Sequence, residues 1–259
     1  MAAQMNLEVG IKGWKHGHNI NEIEVPAQLD KVIPTGIKWF DDVLGGQGGM
    51  TPSTSMIFTG TPGAGKTTFC LQLANSLTKM GHIALFNTGE ESLYQVRKVT
   101  RRIKLDEGFI AGQDTDVSKA IAHMDLLRKS NPRKQLFGIF DSLQTMEDGK
   151  YSDGAINSMT NVRVTHMLTE YAKTHFAIII IIGQVCKDGK FAGKNKIKHA
   201  VDVHSHLFID TDKKSETFGE RIFQVEKNRF GCSNLAYIVG MNDKGLYEKG
   251  HFEWASSLQ

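Results

Sequence analysis

Between Gly60 and Thr67 the chain reads GTPGAGKT: a glycine, four residues, Gly-Lys and a hydroxyl residue. That spacing is the pattern of a phosphate-cradling loop. Its glycines let successive backbone N–H groups turn toward phosphate oxygens at the start of a helix, where the helix dipole already favours negative charge. The expected phosphate contacts are Gly60, Thr61, Pro62, Gly63, Ala64, Gly65, Lys66, Thr67 and Thr68. Within that set the Lys66 ammonium is matched to the β and γ phosphates of ATP, and the Thr67 hydroxyl to Mg²⁺.

Other residues with the right chemistry sit where strand-like runs end, which is where doubly wound sheets place their ligands. Asp141 closes LFGIFD and is the expected carboxylate of the Mg²⁺ shell. Glu90 and Glu91 follow HIALFNTG. A carboxylate there can orient and deprotonate a water attacking the γ phosphate; an acidic residue drawn to a helix start is the alternative, and the better reading for Glu91. Glu90 is the candidate base. Gln184 ends FAIIIIIGQ, and its amide is a candidate γ-phosphate sensor.

Directly after it, CKDGKFAGKNKIKHA carries Lys187, Lys190, Lys194, Lys196 and Lys198 against the single acid Asp188. A charge run is ordinarily a solvated face. One residue beyond a candidate sensor it is instead expected to hold single-stranded DNA, with Phe191 stacking on a base. His204 and His206, at i and i+2 with His199 and Asp202 nearby, are a weak metal motif. Near the end, EKNRFG sets Lys227 and Arg229 on either side of one Asn. Two cations that close repel, so an anion is expected between them.

These residues need a scaffold that puts strand ends together. SMIFTG reads as a buried strand and TFCLQLANSLTKM as an amphipathic helix stopped by Gly81. The alternation continues with HIALFN and helix ESLYQVRKVTRRI, a helix near 116–130 with QLFGIFD, and a helix near 155–174 with the isoleucine strand. It predicts an α/β domain, a mostly parallel sheet flanked by helices on both faces. After Val201 only the short strands HLFI, RIFQVEK and LAYIVGM follow, which predicts an antiparallel extension at one edge. Residues 1–34 read as a polar arm and 35–259 as one domain.

Composition narrows the partners. A net charge of +3 over 259 residues makes any nucleic-acid site a local patch. Three scattered cysteines (Cys70, Cys186 and Cys232), with no C-x-x-C pair, predict a reducing, cytoplasmic setting. The longest apolar run, FAIIIIIG, is far short of the roughly 20 residues of a membrane helix, and the N-terminus lacks the apolar core of a signal peptide.

Over most of residues 32–247 the chain resembles the RecA-fold ATPase core of the RadA (Sms) DNA repair family, which is related to DnaB-type helicases. The carriers are IPTGIKWFDDVLGG, NTGEES, DSLQT, GQVCKDGKFAG with HAVD, and KNRFG followed by NDKGL, in the family's order and spacing. The resemblance implies a RecA-like P-loop ATPase that uses ATP and Mg²⁺ and forms a homo-oligomeric, hexameric ring. Its implied work is on single-stranded DNA, as a branch-migration or helicase motor with loading or recombination proteins as possible partners. It also implies that Lys227 and Arg229 grip a γ phosphate held by the neighbouring subunit. A recombinase-type filament and a KaiC-type regulatory ATPase are the alternatives. Two departures stand out: Gln184 matches the DnaB pattern where RadA has His, and Val99 replaces a common Arg. The family's zinc ribbon and Lon-like domain have no counterpart in this sequence.

Overall fold

Ser55–Gly60 is apolar on both sides, and as β1 it is buried throughout in the middle of a sheet. The computed structural model describes residues 19–44, 47–151, 156–184, 194–233 and 235–253. Around β1 stand β2 (Ile83–Thr88), β3 (Ile110–Gly112), β4 (Leu136–Asp141), β5 (Ile178–Gln184), β6 (Val203–Ile209), β7 (Arg221–Asn228), β8 (Leu235–Asn242) and β9 (Gly245–Glu253). They form one sheet in the order β3-β2-β4-β5-β1-β6-β7-β8-β9. Every pairing among the first six strands is parallel, and β7, β8 and β9 are added antiparallel.

One strand departs from the sequence expectation. HLFI lies in β6, which runs parallel to β1 with Val203 beside Met56, so the antiparallel extension begins only at β7. The cause is the short helix α6 (Lys194–Ala200), which returns the chain to the base of the sheet before β6 starts. Sequence periodicity did not reveal α6, the three-residue edge strand β3, or β9, whose residues are mostly polar or solvent-facing.

The remaining helices are α1 (Lys38–Val43), α2 (Lys66–Lys79), α3 (Leu93–Arg102), α4 (Val117–Ser130) and α5 (Ser158–His175). Their starts follow local chemistry. Ser92 and Gln95 form a capping box on α3, the Asp116 carboxylate accepts from Ser118 N–H at 2.8 Å on α4, and Asn157 with Thr160 caps α5. Alternate residues of the strands feed two cores. Met56, Phe58 and Ile180 face a cluster with α1 and α2, while Ile57, Ile179 and Ile181 face one with α4, α5 and α6.

The first cluster is aromatic. Phe69 packs 5.0 Å from Phe40 and 5.2 Å from Trp39, and Phe223 of β7 lies 5.6 Å from Phe58. The contacts of Phe223 fasten the antiparallel strands to the parallel ones. The arm is also tied down at its end, because Ile33 pairs with Met50 and the buried Asp41 carboxylate accepts from Thr35 N–H at 3.0 Å and Thr35 Oγ1 at 2.7 Å. Phe223 is fully buried, so Phe223→Ala is expected to cost about 3–5 kcal/mol. Urea unfolding should show a lower midpoint with the slope unchanged; a midpoint equal to the parent's would mean that β7 is not locked through this ring.

Candidate nucleotide site

The loop after β1 turns through a bond from Ala64 N–H to Thr61 O at 3.2 Å and enters α2 at Gly65, whose φ of 104° is left-handed. A side chain at Gly65 would also strike Met241 Cε at 2.4 Å. Thr61 N–H donates to Leu207 O at 3.1 Å, and Arg221 Nε donates to Ala64 O at 2.6 Å, so β6 and β7 brace the loop from one side. Lys66 folds back on the loop, its Nζ donating to Gly60 O at 2.8 Å and Thr61 O at 3.1 Å. The result is a cleft of about 410 Å³ lined by Gly60, Pro62, Gly63, Gly65, Lys66, Thr67 and Thr68, with Glu90, Asp141, Gln184, Ile182 and Met241 around them.

Residues singled out from sequence bond one another here. Thr67 Oγ1 donates to Asp141 Oδ2 at 2.6 Å. Gln184 Nε2 donates to Glu90 Oε1 at 2.6 Å, and Ser142 Oγ donates to the same oxygen. Gln184 is itself held by Gln144, whose Oε1 accepts from Gln184 N–H at 3.2 Å. Ser142, Gln144, Arg221 and Met241 were not foreseen; the first two sit in DSLQT after β4, Ser142 two strands beyond the Glu90 it holds and Gln144 one strand before the Gln184 it holds.

Glu90 and Glu91 are not in the first turn of a helix. Ser92 caps α3 ahead of Leu93, and the N–H groups of both glutamates bond the Thr88 hydroxyl at 3.3 and 3.1 Å. That turn places the Glu90 side chain over the cleft.

Burial pushes the Asp141 carboxyl up to about 6; the Thr67 hydroxyl pulls it down, and the charges of Glu90 and Glu91 push it further up. Burial lowers Lys66, against the pull of Asp141 and Glu90. A buried carboxylate that already shares a hydroxyl with the loop and is crowded by two others is a fitting donor set for a hard divalent cation.

Lys227 and Arg229 lie elsewhere. Gly60 pairs with Leu207 and Leu207 with Phe223, whereas Lys227 pairs with His204 at the level of Ile57. At about 3.4 Å per residue, Lys227 starts roughly 14 Å along β7 from the loop of its own chain. The anion expected between the two cations is replaced by groups of the same chain. Lys227 Nζ donates to Lys198 O at 2.6 Å and Val201 O at 2.5 Å, carbonyls at the end of α6, and Arg229 Nη1 meets Asp202 Oδ1 at 3.2 Å.

Of the lysine loop, Lys187, Lys190 and Phe191 lie outside the described residues, as does the side chain of Lys194. Lys196 is exposed on α6, and Lys198 is engaged by Glu226. His204 and His206 both approach the Thr59 hydroxyl, at 2.8 and 2.9 Å. Among the described residues no group of three His, Cys, Asp or Glu is arranged to hold a metal, and no helix is long and apolar enough to cross a membrane.

Fold and site together define a P-loop ATPase of RecA-like architecture. A family model described as "ATPase: KaiC" matches residues 33–245, and the chain belongs to that family. The DNA repair protein RadA of Mycobacterium tuberculosis is 34% identical over 227 residues, which is 86% of this chain and 44% of that protein. The chain therefore spans less than half the length of the curated relatives it matches. A KaiC-like protein from Pyrococcus horikoshii superposes with a TM-score of 0.68 at 19% identity, covering 85% of this chain and 99% of that one. A DnaB-like replicative helicase, solved to describe its interactions with primase, superposes with a TM-score of 0.65 at 15% identity, covering 81% and 59%. At these identities the two structures show the shared fold alone.

The raised Asp141 has a consequence for stability. Its folded state holds a proton that the unfolded chain releases from about pH 4, so the parent loses stability as pH rises from about 4 to about 6. The full shift sets a ceiling of about 3 kcal/mol. Asp141→Asn keeps an acceptor for Thr67 and has no charge to bury. Without nucleotide it is expected to be about 1–3 kcal/mol more stable than the parent at pH 8 and equal to it near pH 4. Urea titrations at the two pH values test this, and a variant no more stable at pH 8 would contradict it.

Proposed function

We propose that the domain is a Mg²⁺-dependent ATPase that works on single-stranded DNA from within a hexameric ring, as a helicase or branch-migration motor in repair. The observation that carries the hydrolytic reading is the Glu90 carboxylate, held by Ser142 and Gln184 over a cleft whose floor is the phosphate loop. ATP lays its phosphates on the loop, where the Gly63–Lys66 backbone and the Lys66 ammonium neutralise them once Lys66 leaves its carbonyl partners. Thr67 and Asp141 would hold Mg²⁺, which would supply neutralisation of the phosphate charge. Glu90 accepts a proton from the attacking water, and ADP and inorganic phosphate result. Gln184 touches Glu90 directly and leads into the lysine loop, so loss of the γ phosphate changes a contact at the base of that loop.

Lys227 and Arg229 are too far along β7 to serve their own loop, which supports action on a neighbour's. In a head-to-tail ring each nucleotide would then be completed by the next subunit. In that assembly Lys198 O, Val201 O and Asp202 preorganise the two cations before any phosphate arrives. RadA, the relative named for DNA repair, supports the DNA assignment, and the basic sequence after Gln184 is its local support. The KaiC family match keeps a regulatory ATPase without a nucleic-acid partner as the second reading; single-stranded DNA would leave the turnover of such a protein unchanged.

Lys66→Ala and Arg229→Ala are each expected to abolish hydrolysis. Mixed in equal amounts, about one interface in four of a head-to-tail ring combines an intact finger with an intact loop. Activity should return to about a quarter of the parent's and rise with added oligothymidylate. A mixture no more active than its components would exclude a shared site, and recovered activity indifferent to DNA would favour the regulatory ATPase.

A further inference from the structure

The pole of the sheet opposite the phosphate loop carries a feature that nucleotide chemistry does not use. There the C-terminal ends of α2, α4 and α5 meet the β2 and β4 starts and the end of the arm around a cavity of about 950 Å³. Five cations line it: Lys31, Arg128, Lys129, Arg133 and Lys134. Asp125 bonds two of them, Arg128 at 2.9 Å and Lys129 at 2.8 Å. Among the described residues, Lys31, Arg133 and Lys134 form no ion pair and are exposed.

Basic residues at helix C-termini have an ordinary purpose, which is to balance the helix dipoles. Each of the three helix ends presents roughly half a negative charge, and Asp125 adds one more. About two to three positive charges are left over. The sequence before the described arm does not supply the counter-charge, since residues 1–18 hold Glu8 as their one acid against Lys12 and Lys15. At the top of the size range of ligand pockets, about 300–1,000 Å³, the groove has room for more than one phosphate. A ligand carrying several regularly spaced negative charges fits this groove better than a single anion.

We propose that this groove is a second contact for a nucleic-acid strand and grips the phosphodiester backbone of single-stranded DNA at the pole opposite the phosphate loop. The proposal rests on the DNA-acting reading of the domain. It assigns Lys31, Arg133 and Lys134 to phosphates. A contact at this pole would let the protein hold a strand there while the contacts beside the nucleotide change.

The test is a salt titration of labelled oligothymidylate binding by fluorescence anisotropy. Each phosphate contact on a single strand contributes about 0.7 to the slope of log affinity against log salt. Lys31→Gln, Arg133→Gln and Lys134→Gln combined are expected to flatten the slope by about 2 units while DNA-independent ATP hydrolysis stays at the parental rate. A control triple of exposed lysines outside the groove, Lys213→Gln, Lys214→Gln and Lys244→Gln, should leave the slope unchanged. A groove variant with the parental slope overturns the proposal, and so does a control that flattens it equally. A parent protein that binds no oligothymidylate removes the DNA reading itself, a result distinct from failure of the groove.

Discussion

The structure depends on β1 being locked to β6 at both ends. At the base, the Asp202 carboxylate is 2% exposed and accepts from Ser55 N–H at 3.0 Å and Ser55 Oγ at 2.8 Å. At the top, Thr61 N–H reaches Leu207 O, and a side chain on Gly60 would put a carbon 2.0 Å from that oxygen. A buried carboxylate without partners costs several kcal/mol, so the base contacts cannot be released cheaply. One strand therefore sets the position of the phosphate loop and, through Asp202, of Arg229 and Lys173.

Between those two ends runs a continuous line of polar contacts. Thr59, one residue before the loop, bonds His204; His204 meets Glu226 at 2.9 Å; Glu226 engages Lys198, whose carbonyl accepts from Lys227. The line joins the nucleotide loop, the helix after the lysine-rich sequence and the cationic pair on β7. Buried networks of this kind hold one geometry when every member is paired. Lys227 and Arg229 are thus fixed by the same strand pairings that hold the phosphate loop, although they lie too far along β7 to touch it.

The cleft is electrostatically prepared in the opposite sense. Asp141, Glu90 and Glu91 gather at the ends of β2 and β4 with Lys66 beside them, and burial opposes every one of the charges whose shift is expressed there. A polyanion alone would meet repulsion from the carboxylates. Nucleotide bound together with a divalent cation, as proposed, would relieve both problems, because the cation would answer the carboxylates and the phosphates would answer Lys66.

Much of this was legible in the sequence, for identifiable reasons. The phosphate loop has a fixed spacing because backbone N–H groups must converge on one anion, and Asp141 and Gln184, which end apolar runs, and Glu90, which follows one, were picked out because doubly wound sheets place ligands at strand ends. The alternation of strand and helix predicted a parallel sheet with two cores, and the late run of strands predicted an antiparallel edge. Tertiary structure alone decided which partners met. Ser142 and Gln144 hold Glu90 and Gln184 because β4 lies between β2 and β5, an order no local pattern encodes. The parallel direction of β6 depends on the seven-residue α6, too short to show a period. The pairing of Lys227 and Arg229 with the α6 carbonyls and Asp202, where repulsion had suggested an external anion, follows from a strand register that sets His204 opposite Lys227. Spacing along the chain records which groups are available, and only the closed sheet determines which of them touch.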